Sequence, residues 1–145
     1  TTRKIAMIES DIVVVGGGPA GMAAALQAAK SGYSVTLVAP SGTFLESDDR
    51  TPALMIPGTD LLAELGAWEH IEADATPMTT MRLIDGTRRL IRAPTVTFEA
   101  YEIDQPAFGY NIVNRSLNAA LLKAVEAQPA IRVVDSMASS ASSPV

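Results

Sequence analysis

The sequence predicts an α/β fold organised on a parallel sheet, with the beginning of an antiparallel sheet inserted into it. Three observations lead there. Residues 12–15 are an unbroken β-branched run, residues 16–19 read Gly-Gly-Gly-Pro, and the alanine-rich stretch after them is made of helix formers. A second aliphatic segment follows Ser31-Gly32. Beyond Pro77 the apolar period shortens, and Asp85-Gly86 marks a hairpin.

Ile12-Val13-Val14-Val15 lacks polar alternation, which is how a strand buried on both faces of a parallel sheet reads. Residues 20–30 form a helix whose small alanines let it lie close to that sheet, and Ser31-Gly32 stops it. Residues 34–39 give the second strand, completing a βαβ unit with a right-handed crossover. Residues 43–57 read as a loop. A helix over 58–67 follows, capped by Thr59 or Asp60, with Leu61, Leu62 and Leu65 as its apolar stripe.

From Met78 the chain reads as an exposed or mixed strand, turned at Asp85-Gly86 and returning over 88–92, with a further short strand over 95–99. Residues 110–113 suggest another. A helix starts at Asn114 or Ser116, carries Leu117, Leu121, Leu122 and Val125 at helical spacing, and stops before Pro129. Residues 131–134 form a buried strand that returns to the first sheet. The serine-rich stretch 136–145 has little to bury and should fray.

Composition narrows the function classes. The chain has 145 residues, 48% hydrophobic and 19% charged, which is globular rather than disordered. With no cysteine, disulfides, thiolate metal sites and cysteine nucleophiles are excluded, and the one histidine, His70, confines any histidine metal site or Ser-His-Asp triad to that single position. A net charge of -5 repels phosphate backbones, so nucleic acid is not an expected partner. The one basic cluster, Arg82, Arg88, Arg89 and Arg92, reads as a solvated hairpin face. No secretory signal is legible near the start, and the uncharged run over 12–29 reads as strand, turn and helix rather than a membrane span. The expected location is cytoplasmic.

The chemistry sits at Gly16, Gly18 and Gly21, spaced G-x-G-x-x-G between a strand and a helix. Gly16 permits the tight turn, Gly18 lets a diphosphate approach the backbone, and Gly21 lets helix and strand pack closely. The helix start then offers free amides and a partial positive charge to the anion. The reading is a Rossmann-like dinucleotide site. The carboxylate that usually bonds the ribose at the end of the second strand is absent: Ala39 stands there, followed by Pro40. Ser41, Glu46, Asp48 and Asp49 are the nearby substitutes, and Arg50 is the one nearby cation for a 2′-phosphate. Spacing alone leaves Arg50 divided between a fork on the diphosphate and an ion pair with Asp48 or Asp49. His70 and Trp68 read as structural, and Asn114 as a helix cap.

These segments together resemble the flavoprotein aromatic hydroxylases, and within them the ubiquinone-biosynthesis hydroxylases. The anchors are Asp11-Ile-Val-Val-Val-Gly-Gly-Gly-Pro-Ala-Gly21, then Asp49-Arg50-Thr51-x-Ala53-Leu54 with a downstream Leu-x-x-Leu-Gly-x-Trp ending at Trp68. After them come Pro77-Met-x-x-Met-x-Leu-x-Asp85 and Gly109-Tyr-Asn-Ile-Val-Asn114-x-x-Leu117-x-x-x-Leu121. The first anchor is common to most FAD proteins; the later three, in this order, are more specific.

The resemblance implies FAD held at Gly16, Gly18, Pro19, Ala20 and Gly21, with Arg50 as the loop arginine that contacts it and Asn114 as a further cofactor-side residue. It implies an FAD-dependent monooxygenase that hydroxylates a polyprenylated aromatic ring, with NAD(P)H as reductant and O₂ as oxygen source. The small-molecule partner would be an aromatic or quinone precursor. Peripheral contact with a membrane or a biosynthetic complex, and a homo-oligomer, stay open. No catalytic residue and no metal ligand is assigned.

The domain reading is an FAD-binding part over 1–76, the start of the substrate-domain sheet over 77–108, a return helix and strand over 109–135, and a flexible tail over 136–145. The chain reads as an incomplete piece of that enzyme, lacking the second flavin motif and inactive alone. Two other readings keep the fold: an NAD(P)-binding domain of another oxidoreductase, and a non-catalytic nucleotide-binding or structural domain.

Overall fold

A computed structural model describes residues 9–40 and 48–137. The chain begins with β1 (Ile12–Val15), α1 (Pro19–Lys30) and β2 (Val35–Val38). It ends with α3 (Asn114–Glu126) and β8 (Ile131–Val134). β1 and β8 both pair parallel with β2, in the order β1-β2-β8. Because all three strands run the same way, their carboxyl ends share one edge, the edge at which open α/β sheets bind ligands.

The core lies between this sheet and the two helices. Met22, Ala25 and Leu26 of α1 meet Val35 and Leu37 of β2 and Leu117, Leu121 and Val125 of α3, all buried. The alanines of α1 allow this close approach, and their burial contributes the apolar transfer energy that offsets chain ordering. Burial on both faces, expected for all three strands, holds only for the central one. Val35, Thr36 and Leu37 are buried, whereas Val13 and Val15 of β1 are 58% and 63% exposed and Arg132 and Val133 of β8 are exposed. A continuous aliphatic run therefore marks a parallel strand here without reporting how many of its faces are covered.

Between the two halves lie β3 (Ala53–Met55), α2 (Ile56–Glu64), β4 (Thr76–Pro77), β5 (Thr80–Leu83), β6 (Val96–Glu99) and β7 (Gly109–Asn111). β7 is the centre of a small antiparallel sheet, with β3 on one side and β4 on the other. Gly109 is required there: a Cβ on it would stand 2.1 Å from the Leu54 carbonyl oxygen. Residues 53–55, expected to be loop, become a strand because β7 supplies the pairing partner, a long-range contact that local pattern does not contain.

α2 starts earlier than expected. Met55 occupies the cap position with no side-chain cap bond, Pro57 lies in the first turn, and the Thr59 hydroxyl donates to the Ile56 carbonyl at 2.8 Å. Neither Thr59 nor Asp60 is the cap, since Pro at the first turn needs no donor partner and lets the helix begin ahead of them. Leu62 and Leu65 are buried as expected, while Leu61 is 40% exposed. Trp68 meets Tyr110 edge to face, with centroids 5.1 Å apart, tying the segment after α2 to β7.

The hairpin also differs from expectation. The return strand is β6, Val96–Glu99, paired with β5 from Thr80↔Glu99 to Leu83↔Val96, and residues 88–92 lie in the connecting loop. The Asp85 carboxylate closes that loop by accepting from the backbone N–H of Thr87 (2.9 Å) and Ala93 (3.0 Å). This widens the turn beyond the tight two-residue form that Asp-Gly suggests. Most of the serine-rich tail lies outside the described residues.

Candidate functional site

The first part of the site is the glycine turn. Gly16 leaves β1 with φ of 117° and donates its N–H to the Val38 carbonyl at 2.9 Å, so the turn is tied to the end of β2. Only a residue without Cβ adopts that φ at low cost. Gly18 is the cap of α1 and Pro19 its first residue, with no side-chain cap bond and no acidic residue in the first turn. The ladder begins with Met22 N–H donating to the Gly18 carbonyl at 3.0 Å, so the amides of Gly18, Ala20 and Gly21 have no helical acceptor. A helix start with no acidic residue in its first turn is positive and directional, and suits an anion.

Gly21 accounts for how sharp the turn is. A Cβ there would stand 2.0 Å from the Gly16 carbonyl oxygen, so α1 can begin this close to the strand only with glycine at 21. Beyond its chain neighbours, none of the described residues comes within 4 Å of where a Cβ on Gly18 would sit, so its backbone is open to a ligand. The three glycines thus carry three separate requirements: a positive φ, an open approach and a close contact.

The second part is a clamp between the 48–50 loop and the start of α3. Asp48 accepts from Arg50 Nε and Nη2 at 2.8 and 2.6 Å, from the Arg50 backbone N–H at 3.1 Å, and from Asn114 Nδ2 at 2.8 Å. Backbone bonds run alongside: Asn114 N–H donates to the Arg50 carbonyl at 2.9 Å, and Arg115 N–H to the Asp48 carbonyl at 3.0 Å. Arg115 Nη1 also donates to Asp49. The Arg50 guanidinium bonded to Asp48 holds that carboxyl well below the usual carboxylate range; partial desolvation opposes this, and the Asn114 amide adds to it. Arg50 is in turn held more firmly protonated, first by the same bond.

Arg50 therefore makes the ion pair that was one of its two expected roles. Two of its five N–H donors go to Asp48, and its side chain is 84% exposed, which leaves the remaining donors directed to solvent. Asn114 is not a cap. Val113 holds that position, and the Asn114 side chain reaches across to the loop instead. Asp48 is the organising group that sequence reasoning left as one of several loop acids. Its only local signal is the two-residue spacing to Arg50.

Beside the start of α1 lies a small apolar cavity of about 160 Å³, lined by Pro19 and Ala20 of α1, Leu54 of β3, Leu61 of α2, and Leu117 and Leu121 of α3. Pro19 and Ala20 bring the start of α1 to this cavity, while Leu54 and Leu117 lie on the chain segments that follow the 48–50 loop and Asn114. Ala39 is buried at the end of β2 and carries no acid, while Ser41 and Glu46 lie outside the described residues. His70 lines a different hollow, with Leu26, Ala124 and Gln128, and its Nε2 lies 3.7 Å from Glu69. No helix among the described residues is long and apolar enough to cross a membrane.

Residues 11–44 match the FAD dependent oxidoreductase family. The chain is 34% identical over 131 residues to the 3-demethoxyubiquinol 3-hydroxylase of Escherichia coli, covering 84% of this chain and 32% of that enzyme. It is 33% identical over 124 residues to the ubiquinone hydroxylase UbiM of Neisseria meningitidis, covering 81% of this chain and 27% of that one. The chain thus spans about a third of the length of the curated relatives it matches. Its fold is shared with the flavin-dependent monooxygenase PieE, solved with FAD and substrate, at a TM-score of 0.63 and 23% identity over 87% of this chain and 23% of that one. It is also shared with PqsL of Pseudomonas aeruginosa, at 0.66 and 15% over 86% and 33%.

Proposed function

We infer function from the premise that this chain belongs, over the portion it spans, to the FAD-dependent aromatic hydroxylase family, in its ubiquinone-hydroxylase subgroup. The whole enzyme of which it forms that portion is then a flavin-dependent monooxygenase acting on an aromatic quinone precursor, with NAD(P)H as reductant and O₂ as oxygen source. When bound, FAD supplies the redox and oxygen-transfer chemistry.

The residues present fit that group. One observation carries the reading: a Cβ at Gly21 would enter the Gly16 carbonyl, while the Gly18 backbone stays open beside an uncapped helix start. In this reading Gly18, Ala20 and Gly21 donate backbone N–H bonds to the diphosphate, Gly16 and Pro19 set the turn, and Arg50 offers its solvent-facing donors to the same anion. Asn114 acts at one remove, fixing the loop through Asp48. The segment over 77–108, with its β5–β6 ribbon, is assigned to the start of the substrate-binding part.

An NAD(P) site draws some support from the missing acid at Ala39. Its 2′-phosphate would need a cation of its own at the end of β2, however, and in this reading the donors that Arg50 keeps beside Asp48 serve the diphosphate. The test is a titration of flavin-stripped full-length enzyme with FAD and with NADPH, followed by NADPH oxidation and product analysis with a prenylated phenol. Saturable FAD binding and a product gaining one oxygen atom are expected; a protein that binds NADPH and no FAD would replace this reading with the other.

A further inference from the structure

We propose that the tip of the β5–β6 ribbon docks on a membrane, setting Leu90 and Ile91 into the headgroup layer of a bilayer that carries anionic lipid. Leu90 is fully exposed and Ile91 is 85% exposed, and both lie in the loop that joins the two strands. Single apolar side chains on a surface are ordinary, but an adjacent aliphatic pair at this exposure marks a contact site. Arg88 and Arg89 precede the pair and Arg92 follows it, all exposed. Among the described residues, none of these three guanidinium groups is held in an ion pair.

The loop is built to present these groups. Both oxygens of the Asp85 carboxylate are taken by backbone N–H groups, those of Thr87 and Ala93, so residues 86–92 close into a tip whose arginines keep their charge. Between Thr80 and Phe98 the ribbon carries four arginines and one acid, in a chain whose net charge is -5. An anionic surface therefore attracts this end of the chain and repels its remainder. Behind the tip the ribbon is two-sided: the pairs Leu83↔Val96 and Met81↔Phe98 share one exposed face, and Arg82↔Thr97 lies on the other. The apolar face reaches the hollow lined by Met78, Met81 and Phe108. A nucleic-acid groove would use the arginines and leave Leu90 and Ile91 without a partner. A bilayer surface takes both, with the aliphatic pair at the acyl boundary and the long arginine arms at the lipid phosphates.

The experiment sediments flavin-loaded full-length enzyme with vesicles of phosphatidylcholine alone and of equal parts phosphatidylcholine and phosphatidylglycerol. Wild type is expected to bind the mixed vesicles, less tightly as salt rises, and to bind phosphatidylcholine weakly. Arg88→Ala/Arg89→Ala and Leu90→Ser/Ile91→Ser should each weaken binding to the mixed vesicles about tenfold or more, with unchanged unfolding midpoint and flavin content. Wild type that ignores the mixed vesicles overturns the proposal. So does a Leu90→Ser/Ile91→Ser variant that binds them like wild type, which would make the tip a site for a soluble polyanion. A lowered unfolding midpoint in that variant, with vesicle binding unchanged, would show the two side chains packed inside the enzyme and overturn it as well. FAD titration of the same proteins tests the cofactor reading separately.

Discussion

Asn114 and Asp48, 66 residues apart in the chain, are joined by a 2.8 Å hydrogen bond from the Asn114 amide to the Asp48 carboxylate. That bond connects the first turn of α3 to the loop carrying Arg50, and Asp48 in turn grips the Arg50 guanidinium through both oxygens. Together the two residues decide where the Arg50 guanidinium is held.

Asn114→Ala removes the side-chain strut and leaves the two backbone bonds and the Asp48–Arg50 pair in place. The loss of one hydrogen bond should raise local opening of the 48–50 loop about fivefold, with global stability nearly unchanged. Hydrogen exchange at the Asn114 and Arg115 amides measures it. FAD affinity should fall with it, and unchanged exchange would show that the strut does not hold the loop.

Asp48 has a depressed folded-state pKa, caused first by the Arg50 bond. Its contribution to stability is therefore complete above the unfolded carboxylate value of about 3.9 and is lost as pH falls from there toward the folded value. Carboxyl-carbon NMR should find Asp48 still ionised at pH values where free aspartate is mostly protonated. Asp48→Asn should flatten that part of the stability profile. A midpoint for Asp48 at the ordinary value would mean that the clamp is absent in solution.

Gly21→Ala gains up to about 1 kcal/mol of helix propensity but drives its Cβ to 2.0 Å from the Gly16 carbonyl. Overpacking against backbone costs about 1–3 kcal/mol, and here no side chain can yield. The denaturant midpoint should drop, and FAD binding should be lost with it.

The first βα unit and α3 are encoded locally. The β-branched run into Gly16 and the alanines after Pro19 specify β1, α1 and the turn between them, because strand, turn and helix there each follow from neighbours in sequence. The same holds for Leu117, Leu121 and Val125, whose spacing gives α3. What escaped was long-range. Residues 53–55 are a strand only because Gly109 lets β7 approach. Val96–Glu99 displaces residues 88–92 as the return strand because Asp85 reaches forward to Ala93. Asn114 lost its expected capping role to a partner 66 residues away, which no local pattern encodes.

Gly109→Ala tests the first of those long-range dependences. Its Cβ would meet the Leu54 carbonyl at 2.1 Å and the Met55 Cα at 2.7 Å, so β3 must move away from β7. A loss of about 1–3 kcal/mol is expected in chemical denaturation. Amide protection at Ile56, whose N–H donates to the Phe108 carbonyl, should fall with it.

The proposed FAD site depends on the backbone at Gly18 receiving a diphosphate. Gly18 has φ of −73° and ψ of 175°, an extended geometry open to any residue, and nothing within 4 Å of an added Cβ. Gly18→Ala should thus fold with stability within about 0.5 kcal/mol of wild type. The decisive measurement is a fluorescence titration of FAD into flavin-stripped full-length wild type and Gly18→Ala. Saturable binding by wild type, weakened about tenfold or more by the added methyl group at unchanged stability, is the predicted result. Equal FAD affinity in the two proteins would contradict it, placing the cofactor's diphosphate somewhere other than this turn.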